Sequence, residues 1–359
     1  MTLGRMNRNL GFSMLIGTTV SLFALYFAFR NIPFNDLWSY LLSINYLWII
    51  PTIAVILIVF SLRAVRWGYI LASGHPVGFW QAFHPLMIGF MVNCILPGRV
   101  GELARPIVLN RNTMIPVSTG LATVIVERLF DLVVLMLLFM MTSAYVRIDP
   151  EISMNFGGYQ LDQNVLKTVS KSMLQLSGLL MSGLLLVSFS KTRQLLKRAV
   201  IAAPGLFPLI KTKTKSKLTD KICTPLVGAI DNIASGMALI KAPKRIVVCF
   251  LYSVAVWFFN ALSFYIFSIG CPEINLTFIE MTAVMVIICI AIALPSVPGY
   301  WGLWEAGGIF AMLLFGVAEK DAAGFTLANH GMQIIPVVII GLVSAWICGV
   351  NIRRVYHEQ

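Results

Sequence analysis

The pattern of apolar and polar positions divides the chain into long hydrophobic runs joined by short polar connections. Six of the runs are long enough to cross about 30 Å of hydrocarbon as helices. They predict spans at about 11–29, 46–70, 116–146, 172–189, 246–269 and 325–350. Two shorter runs, at about 79–95 and 279–295, each end at a break rich in Pro and Gly. The sequence therefore predicts an all-α polytopic membrane protein.

The two breaks contain the same short motif. Its Pro-Gly-x-x-Gly core occurs as Pro97-Gly98-Arg99-Val100-Gly101 and again as Pro298-Gly299-Tyr300-Trp301-Gly302. Backbone groups freed at such a break must face protein or water, and helices broken at corresponding places in two halves of a membrane protein commonly mark a transport site. We predict that each short run and the helix after its break form a re-entrant hairpin. A kinked helix that spans the whole membrane is the alternative.

The loops between the runs differ in charge. Arg5 and Arg8 precede the first run, which we interpret as an uncleaved signal anchor, and twelve basic residues lie between Lys191 and Arg245. Basic loops stay on the cytoplasmic side. Both termini and the lysine-rich segment are thus predicted to be cytoplasmic, in a bacterial or archaeal inner membrane. The segment 147–171 carries acidic residues and few basic ones, as expected of an outer loop.

Three predicted spans separate the two motifs. Because that number is odd, the second hairpin must enter from the side of the membrane opposite to the first. The prediction is an inverted repeat within one membrane domain (1–359), each half holding three spanning helices and one re-entrant hairpin. Its parts are the first repeat (1–146), the outer loop (147–171) and the second repeat (172–359), which contains a basic cytoplasmic insertion at 190–245.

Composition narrows the function classes. Hydrophobic residues make up 58% of the chain and charged residues 12%, and a mean hydropathy of +0.85 lies outside the range of soluble domains. The net charge of +12 comes with no nucleic-acid-binding motif, so no nucleic-acid partner is predicted. The six cysteines and four histidines lack metal-site spacing, and no nucleotide-binding motif is present. We predict no metal and no cofactor.

Charged residues cluster at and after the first break. A charge in the apolar interior costs about 2.5–3.5 kcal/mol, so such residues are kept where they pair or contact a ligand. Glu127 and Asp131 are four apart and share one helix face. The carboxylates on that face can neutralise an arginine that holds the hairpin, or they can contact a substrate; both interpretations stay open. The candidate site residues here are Arg99, Glu102, Arg105, Glu127, Arg128 and Asp131.

Two further arginines stand near the cytoplasmic end of the second predicted span. Arg63 and Arg66 are three apart, on one helix face, with Trp67 nearby. One interpretation is that both side chains extend to the lipid headgroups while their alkyl stems stay in the apolar layer. The functional interpretation is a docking site for a lipid phosphate, which arginine can bind through two parallel hydrogen bonds.

The second break has different chemistry, with one carboxylate among aromatic residues: Tyr300, Trp301, Trp304 and Glu305. The aromatics alone are typical of a membrane-interface belt. Glu305, at the start of a short helix, fits two roles: capping of unpaired N–H groups, or contact with a cationic or hydroxyl-bearing substrate group. Asn260 and His330 are additional polar candidates within apolar runs, and a lone histidine such as His330 is more typical of a packing residue.

Three patterns in this order resemble the lysylphosphatidylglycerol synthase transmembrane, or flippase-like, family. They are Leu-Pro-Gly-Arg-x-Gly-Glu, Glu-Arg-x-x-Asp and Pro-x-x-Pro-Gly-x-x-Gly-x-x-Glu, and the resemblance covers essentially the whole chain. The residues that match are Pro97, Gly98, Arg99, Gly101, Glu102, Glu127, Arg128, Asp131, Pro298, Gly299, Gly302 and Glu305. The resemblance implies a membrane domain that moves lipids between leaflets. Bifunctional members continue into an aminoacyl-transfer domain, whereas this chain ends at Gln359, so we expect a stand-alone transporter that is not an enzyme.

The resulting hypothesis is translocation of a phospholipid or other lipid-linked headgroup through a polar cavity between the hairpins. The arginines at the first break would hold phosphate, and Glu305 with the aromatics would meet the rest of the headgroup. Expected partners are membrane lipids, first an anionic or aminoacylated phospholipid; a second copy or a lipid synthase is the candidate protein partner. The alternative is a membrane enzyme or accessory subunit acting on polyprenyl-phosphate-linked sugars.

Overall fold

The computed structural model describes residues 18–19, 21–26, 28–72, 76–96, 99–145, 154–156, 159–161, 171, 175, 190–202, 223–224, 227–228, 243–293 and 298–349. Most of the described residues are helical. The helices are α1 (Phe34–Ser43), α2 (Ile49–Leu71), α3 (Phe79–Ile95), α4 (Gly101–Thr113), α5 (Val117–Tyr145), α6 (Ser190–Ala202), α7 (Pro243–Ile269), α8 (Phe278–Ala291), α9 (Leu303–Leu313) and α10 (Glu319–Ile347). Described residues between 18 and 29 are helical too.

Within the described part of the chain, three helices are long and apolar enough to cross a membrane: Tyr46–Leu71, Lys244–Ile269 and Glu319–Ile347. They coincide with three predicted spans. The last helix begins at Glu319, before the predicted start at 325. Its first turn is acidic; acidic residues lower the hydropathy of the sequence there, but they favour a helix N-terminus. Helix α5, with 29 residues, covers the predicted span at 116–146 and carries the charged residues discussed below.

Several predictions concern segments of which little or nothing is described. The predicted span at 172–189 lies outside the described residues except for residue 175, and most of the basic insertion at 190–245 lies outside them too. The predicted outer loop contains a departure from the all-α prediction. Strands β1 (Met154–Phe156) and β2 (Tyr159–Leu161) pair antiparallel there. A Gly-Gly pair separates them in the sequence, and such pairs favour tight hairpin turns.

Helices α2 and α7 pack against each other as an antiparallel pair. Near the start of α2, the Asn45 N–H donates to the Gly270 carbonyl just after α7, at 2.8 Å. Further along, Arg66 Nη1 donates to Ser253 Oγ at 2.7 Å. A Cβ on Gly270 would come within 2.8 Å of the Asn45 carbonyl oxygen, so glycine allows the two segments to approach each other closely here.

Helices α3 and α4 form what we call the first hairpin; the described residues of its tip are 96, 99 and 100. The two helices touch through glycines: a Cβ on Gly101 would overlap the carbonyl oxygen of Gly89. The Asn93 side-chain oxygen accepts the Gly101 N–H at 2.8 Å. That bond satisfies one of the N–H groups that every helix start leaves free. Of the motif's backbone residues, Pro97 and Gly98 lie outside the described residues.

Helices α8 and α9 form the second hairpin; the described residues of its tip are 292, 293 and 298–302. A Cβ on Gly307 would approach the Ala291 side chain to 2.7 Å, so a small residue is again needed where the two helices meet. Helix α8 begins with a capping box between Thr277 and Glu280. At the tip, Gly299 has φ 69° and Gly302 has φ 89°. Both lie in the left-handed region that glycine adopts without steric cost.

Helix α10 packs against both hairpins in turn, and both α9 and α3 run antiparallel to it. In order along α10, the contacts are Thr326 with Gly308, His330 with Glu305, Gly341 with Met91 and Ser344 with His84. The tips meet between these contact regions, where Arg99 Nη2 donates to the Ile292 carbonyl at 2.9 Å and Gly299 lies beside the Cys94 carbonyl. The hairpins therefore lie end to end along α10.

Candidate functional site

Four arginines and three carboxylates from α2, α4 and α5 meet in what we call the arginine cluster. Its members are Arg63, Arg66, Glu102, Arg105, Glu127, Arg128 and Asp131. Glu127 and Asp131 lie one turn apart on α5 and point the same way, as their spacing predicts. Four guanidinium groups against three carboxylates leave the cluster with one surplus positive charge.

Asp131 is the centre of the cluster and is 3% exposed. Arg66 binds it through two hydrogen bonds, at 2.6 Å to Oδ1 and 3.3 Å to Oδ2. Arg63 lies 3.7 Å from Oδ2, and the indole N–H of Trp257 donates to Oδ1 at 3.2 Å. Because the carboxylate has several donors around it, its charge is compensated without water.

Glu127 holds the second buried pair. Its Oε2 lies 2.6 Å from Arg105 Nη1, and its Oε1 lies 3.5 Å from Arg66 Nη2. The Arg105 guanidinium also lies over the ring of Trp67, 3.5 Å from the ring centroid, a position that stabilises a cation desolvated in this way. Thr123 Oγ1 accepts the Trp67 indole N–H at 2.9 Å and thereby fixes the ring.

The outer edge of the cluster is open. Arg128 and Glu102 are 36% and 29% exposed in their side chains and lie 3.6 Å apart. Beside them, helices α3, α4 and α5 form a narrow, open cleft lined by Leu86, Gly89, Phe90, Asn93, Gly101, Glu102, Arg105, Val124 and Arg128. Among the described residues, Arg105 Nε and Nη2 have no hydrogen-bond partner. A cleft with buried unpaired donors and surplus positive charge suits an anionic group.

A second polar site lies where the second tip meets α10. Glu305 and His330 are both fully buried, and His330 Nδ1 is hydrogen-bonded to Glu305 Oε1. The other carboxylate oxygen, Oε2, accepts the Gly302 N–H at 2.7 Å. The other ring nitrogen, Nε2, contacts the Gly299 carbonyl oxygen at 2.8 Å. The capping contact, one of the two roles considered for Glu305, is thus present, and His330 is the second partner of this carboxylate.

Two tryptophans enclose the His330 ring. Trp304 is stacked on it with 4.6 Å between ring centroids and 4° between planes, and Trp301 lies at 4.5 Å in a tilted arrangement. Next to His330, the Asn329 side chain is 1% exposed and has no hydrogen-bond partner among the described residues. The aromatics of the second break therefore serve this site, although Trp301 remains 38% exposed.

The structure separates the predicted site residues into two groups. The arginines and carboxylates of the first break, α2 and α5 come together in the arginine cluster, except Arg99. That side chain is exposed and bonds to the second tip, with its guanidinium 5.9 Å from the ring centroid of Tyr300. Arg63 and Arg66 are buried and do not extend to the membrane surface. Contact of either group with substrate stays a prediction.

Several site residues were not singled out from the sequence as site members. His330 was an additional polar candidate, considered more typical of a packing residue, and its partner Glu305 lies 25 positions away, beyond any helical spacing. Ser253 and Trp257 bind members of the arginine cluster. The sequence feature that could have identified both is a polar group within an otherwise apolar helix. The two residues lie one turn apart on α7 and face the cluster.

Comparison with known proteins places the chain among membrane proteins. The UPF0104 membrane protein MJ1595 of Methanocaldococcus jannaschii is 24% identical over 316 residues, which cover 85% of each chain. No solved structure is detectably similar. Residues 14–341 match the sequence family described as lysylphosphatidylglycerol synthase TM region, in agreement with the resemblance stated above. Because that match takes in most of the chain, the protein belongs to the lysylphosphatidylglycerol synthase transmembrane-region family.

Proposed function

We propose that the protein is a flippase-like transporter that moves a phosphate-bearing lipid headgroup between leaflets while the acyl tails stay in the bilayer. The observation that carries the proposal is the cleft at the arginine cluster, where Arg105 and Arg128 line a space and Arg105 has buried N–H groups without partners. A phosphate oxygen is an acceptor for such donors, and arginine matches its geometry. Nothing in this role requires a bond in the lipid to be broken, so we propose no enzymatic activity.

The charge balance of the cluster supports a mobile anionic ligand. Arg66 binds Asp131 through two hydrogen bonds, and this pair holds the helices together. Arg128 lies at 3.6 Å from both of its carboxylate neighbours, a looser contact that leaves its donors for a ligand. A headgroup phosphate bound there would compensate the surplus positive charge, which favours binding in a site of low dielectric constant.

The order of contacts along α10 supports the inverted arrangement of the hairpins. From Thr326 to Ser344, α10 rises by about 27 Å, and over that length its contacts pass from the second hairpin to the first. A helix that crosses the membrane would then have one hairpin on each side of the bilayer, with the tips meeting at mid-depth. The hairpin helices α4, α8 and α9 have 13, 14 and 11 residues, too short to cross about 30 Å of hydrocarbon. We propose re-entrant hairpins and an inverted repeat on this basis.

Cysteine labelling tests the inverted arrangement. In a background without the six native cysteines, a cysteine at Arg111, exposed in the last turn of α4, should react with an impermeant thiol reagent from the cytoplasmic side. A cysteine at Glu319, the first residue of α10, should react from the outer side. Permeabilised membranes, in which both positions should label, are the control. Labelling of both from one side in sealed membranes would rule out opposite entry.

Transport in liposomes tests the cleft. The purified protein should accelerate leaflet exchange of phosphatidylglycerol without ATP, and Arg128→Gln should slow it by about tenfold, as expected for loss of one charge-assisted contact worth about 1.5 kcal/mol. The loss of stability should stay below about 1 kcal/mol because Arg128 is partly exposed and its ion pairs are long. Thermal unfolding, followed on the same samples, separates the two effects.

A matched control lies on α4. Arg111→Gln removes an exposed arginine from the same helix that supplies Arg105, outside the cleft, and should leave transport unchanged. An uncharged glycosyl lipid should be moved no faster than in protein-free vesicles. Equal behaviour of Arg128→Gln and Arg111→Gln, or equal transport of the uncharged lipid, would contradict a phosphate site in the cleft.

A further inference from the structure

Helix α1 presents three kinds of side chain on three separate faces. Each residue turns a helix by about 100°, so residues four apart are displaced by only about 40° around its axis. The face that packs on the protein core contains Leu37, Tyr40 and Leu41. The second face is apolar, and its residues are each more than half exposed: Phe34, Trp38 and Leu42. The third face is polar and exposed, and it consists of Asn35, Asp36, Ser39 and Ser43.

The exposed apolar residues form one continuous surface along the whole helix. The rings of Phe34 and Trp38 are stacked, with 6.5 Å between their centroids and 11° between their planes, and Leu42 follows one turn later. A surface helix of a soluble protein ordinarily has two faces, an apolar one on the core and a polar one in water. The additional apolar face of α1 therefore indicates an apolar neighbour outside the protein core.

The contacts of α1 place it across the ends of the three long apolar helices. Two residues separate α1 from the apolar run Tyr46–Leu71, which contains α2. The Tyr40 hydroxyl donates to the Pro272 carbonyl oxygen, just after α7, at 3.1 Å. The same ring lies against Gly324 of α10, where a Cβ would overlap it. Helix α1 therefore lies where α2 and α10 begin and α7 ends.

These contacts also determine the depth of α1 in a membrane. Gly324 lies five residues beyond Glu319, the first residue of α10, which is about 7.5 Å along the helix. Glu319, Lys320 and Glu273 carry charges at this end of the molecule. The headgroup layer extends roughly 5–8 Å beyond the hydrocarbon on each side. With those charges among the headgroups, Tyr40 and the rest of α1 lie at the boundary between the headgroups and the acyl chains.

We propose that α1 is a membrane-surface helix whose apolar face, Phe34, Trp38 and Leu42, inserts between the lipids of one leaflet while its polar face contacts water. Helices with this division of side chains lie in the interface with their apolar residues about 5–10 Å deep, where tryptophan is favoured. Asp36 is the one formal charge on α1, so the insertion depends on apolar burial and not on lipid charge. With Glu319 on the outer side, as proposed above, the leaflet is the outer one.

The chain that follows α1 indicates lipid as the occupant of this face. Leu47 and Ile50, at the start of the next apolar run, are exposed, and lipid must cover them when that run crosses the bilayer. Because two residues connect α1 to this run, the same lipids reach Leu42. The inference requires α2, α7 and α10 to cross the membrane, and it is independent of the proposed transport function.

Insertion of α1 would anchor one end of α10 and the second hairpin in the leaflet. Tyr40 holds Gly324, and Thr326, two residues further along α10, packs against Gly308 of the second hairpin. The path from the lipid to the hairpin thus consists of side chains packed on one another. Helix α1 therefore sets the depth at which α10 holds the second hairpin.

Spin labels on α1 test the proposed faces. In the background without native cysteines, Leu42→Cys and Ser39→Cys place a nitroxide on the apolar and the polar face respectively. Both positions are exposed, so both variants should unfold at the temperature of the background protein. In phosphatidylcholine vesicles, the label at Leu42 should collide more often with oxygen, which concentrates in hydrocarbon, than with a water-soluble nickel complex. The order should be reversed at Ser39.

Two positions on α10 give the reference values. Ile335→Cys labels an exposed apolar position within the long helix and reports lipid, whereas Lys320→Cys labels its exposed first turn and reports water. The values at Leu42 and Ser39 should be the same in phosphatidylglycerol vesicles, because α1 does not depend on lipid charge. A strong dependence on the anionic lipid would contradict insertion driven by the apolar face.

The other outcomes of the labelling each overturn the proposal. If both α1 labels respond like Lys320, the helix lies in water; if both respond like Ile335, it lies within the hydrocarbon. Low collision rates with both reagents at Leu42 would show that protein covers the face, and spectral broadening relieved by dilution with unlabelled protein would identify a second copy. Since no step measures lipid exchange, failure of this proposal and failure of the transport function are separate results.

Discussion

Replacement of Asp131 by Ala is expected to lower the free energy of unfolding by about 3–5 kcal/mol, the usual cost of removing one partner from a buried ion pair. The reason is that Arg66, which is completely buried, would lose both of its hydrogen bonds to the carboxylate. Arg63, at 3.7 Å from the same group, would lose its nearest counter-charge. The measurement is thermal or denaturant unfolding of the purified protein in detergent, followed by tryptophan fluorescence.

The control for this change is Asp36→Ala, which removes an exposed carboxylate from the first turn of α1. Its expected cost is about 0.3–1 kcal/mol, the contribution of an acidic residue near a helix N-terminus. A second test is Asp131→Asn, which keeps a hydrogen-bond acceptor while removing the charge and should cost less than Asp131→Ala. A cost of Asp131→Ala no larger than that of Asp36→Ala would contradict a structural role for the arginine cluster.

Replacement of Gly101 by Ala is the second change with a large expected effect, a loss of about 3 kcal/mol or more of stability. A Cβ at this position would overlap the Gly89 carbonyl oxygen and approach the side-chain oxygen of Asn93. Neither can yield easily, because one is backbone within α3 and the other is the acceptor for the Gly101 N–H. The first hairpin would have to open, and the cleft that lies between its helices would change shape.

Gly331→Ala is the matched control for Gly101→Ala. Gly331 also lies in a helix, α10, but a Cβ there would meet its nearest neighbour at 3.9 Å, an ordinary contact. Alanine favours helix more than glycine by about 1 kcal/mol, so this variant should be as stable as the wild type or more stable. If the two variants unfold at the same temperature, the glycine contact between α3 and α4 is not what holds the hairpin.

The two polar sites differ in how exposed their side chains are. The arginine cluster is open at Arg128 and Glu102 and carries one surplus positive charge. The Glu305–His330 site is closed, and its polar atoms are used within the protein. The structure thus joins an open, charged site with a closed, polar one. The contact between the two tips connects them through Arg99 and Ile292.

Much of the fold could be read from the hydrophobic pattern. The runs that became α2, α7 and α10 were predicted within a few residues except at the start of α10, because a helix that crosses a bilayer must be long and apolar. The shorter helices α3 and α8 and the breaks after them were predicted as well, since closely spaced Pro and Gly residues commonly end a helix. The short β-hairpin was missed because its strands have three residues each, too few to show alternation.

The candidate site was predicted as a set of residues but not as a set of pairs. The sequence placed Glu127 and Asp131 on one helix face and identified the arginines around the first break, because helical spacing relates residues on the same helix. It could not tell that Asp131 pairs with Arg66, that Arg99 bonds instead to the second tip, or that Glu305 meets His330. Those partners come from different helices, and only the packing of α2, α5, α9 and α10 brings them within hydrogen-bond distance. Periodicity determines which way a side chain faces on its own helix, whereas the choice of partner depends on where the neighbouring helix lies.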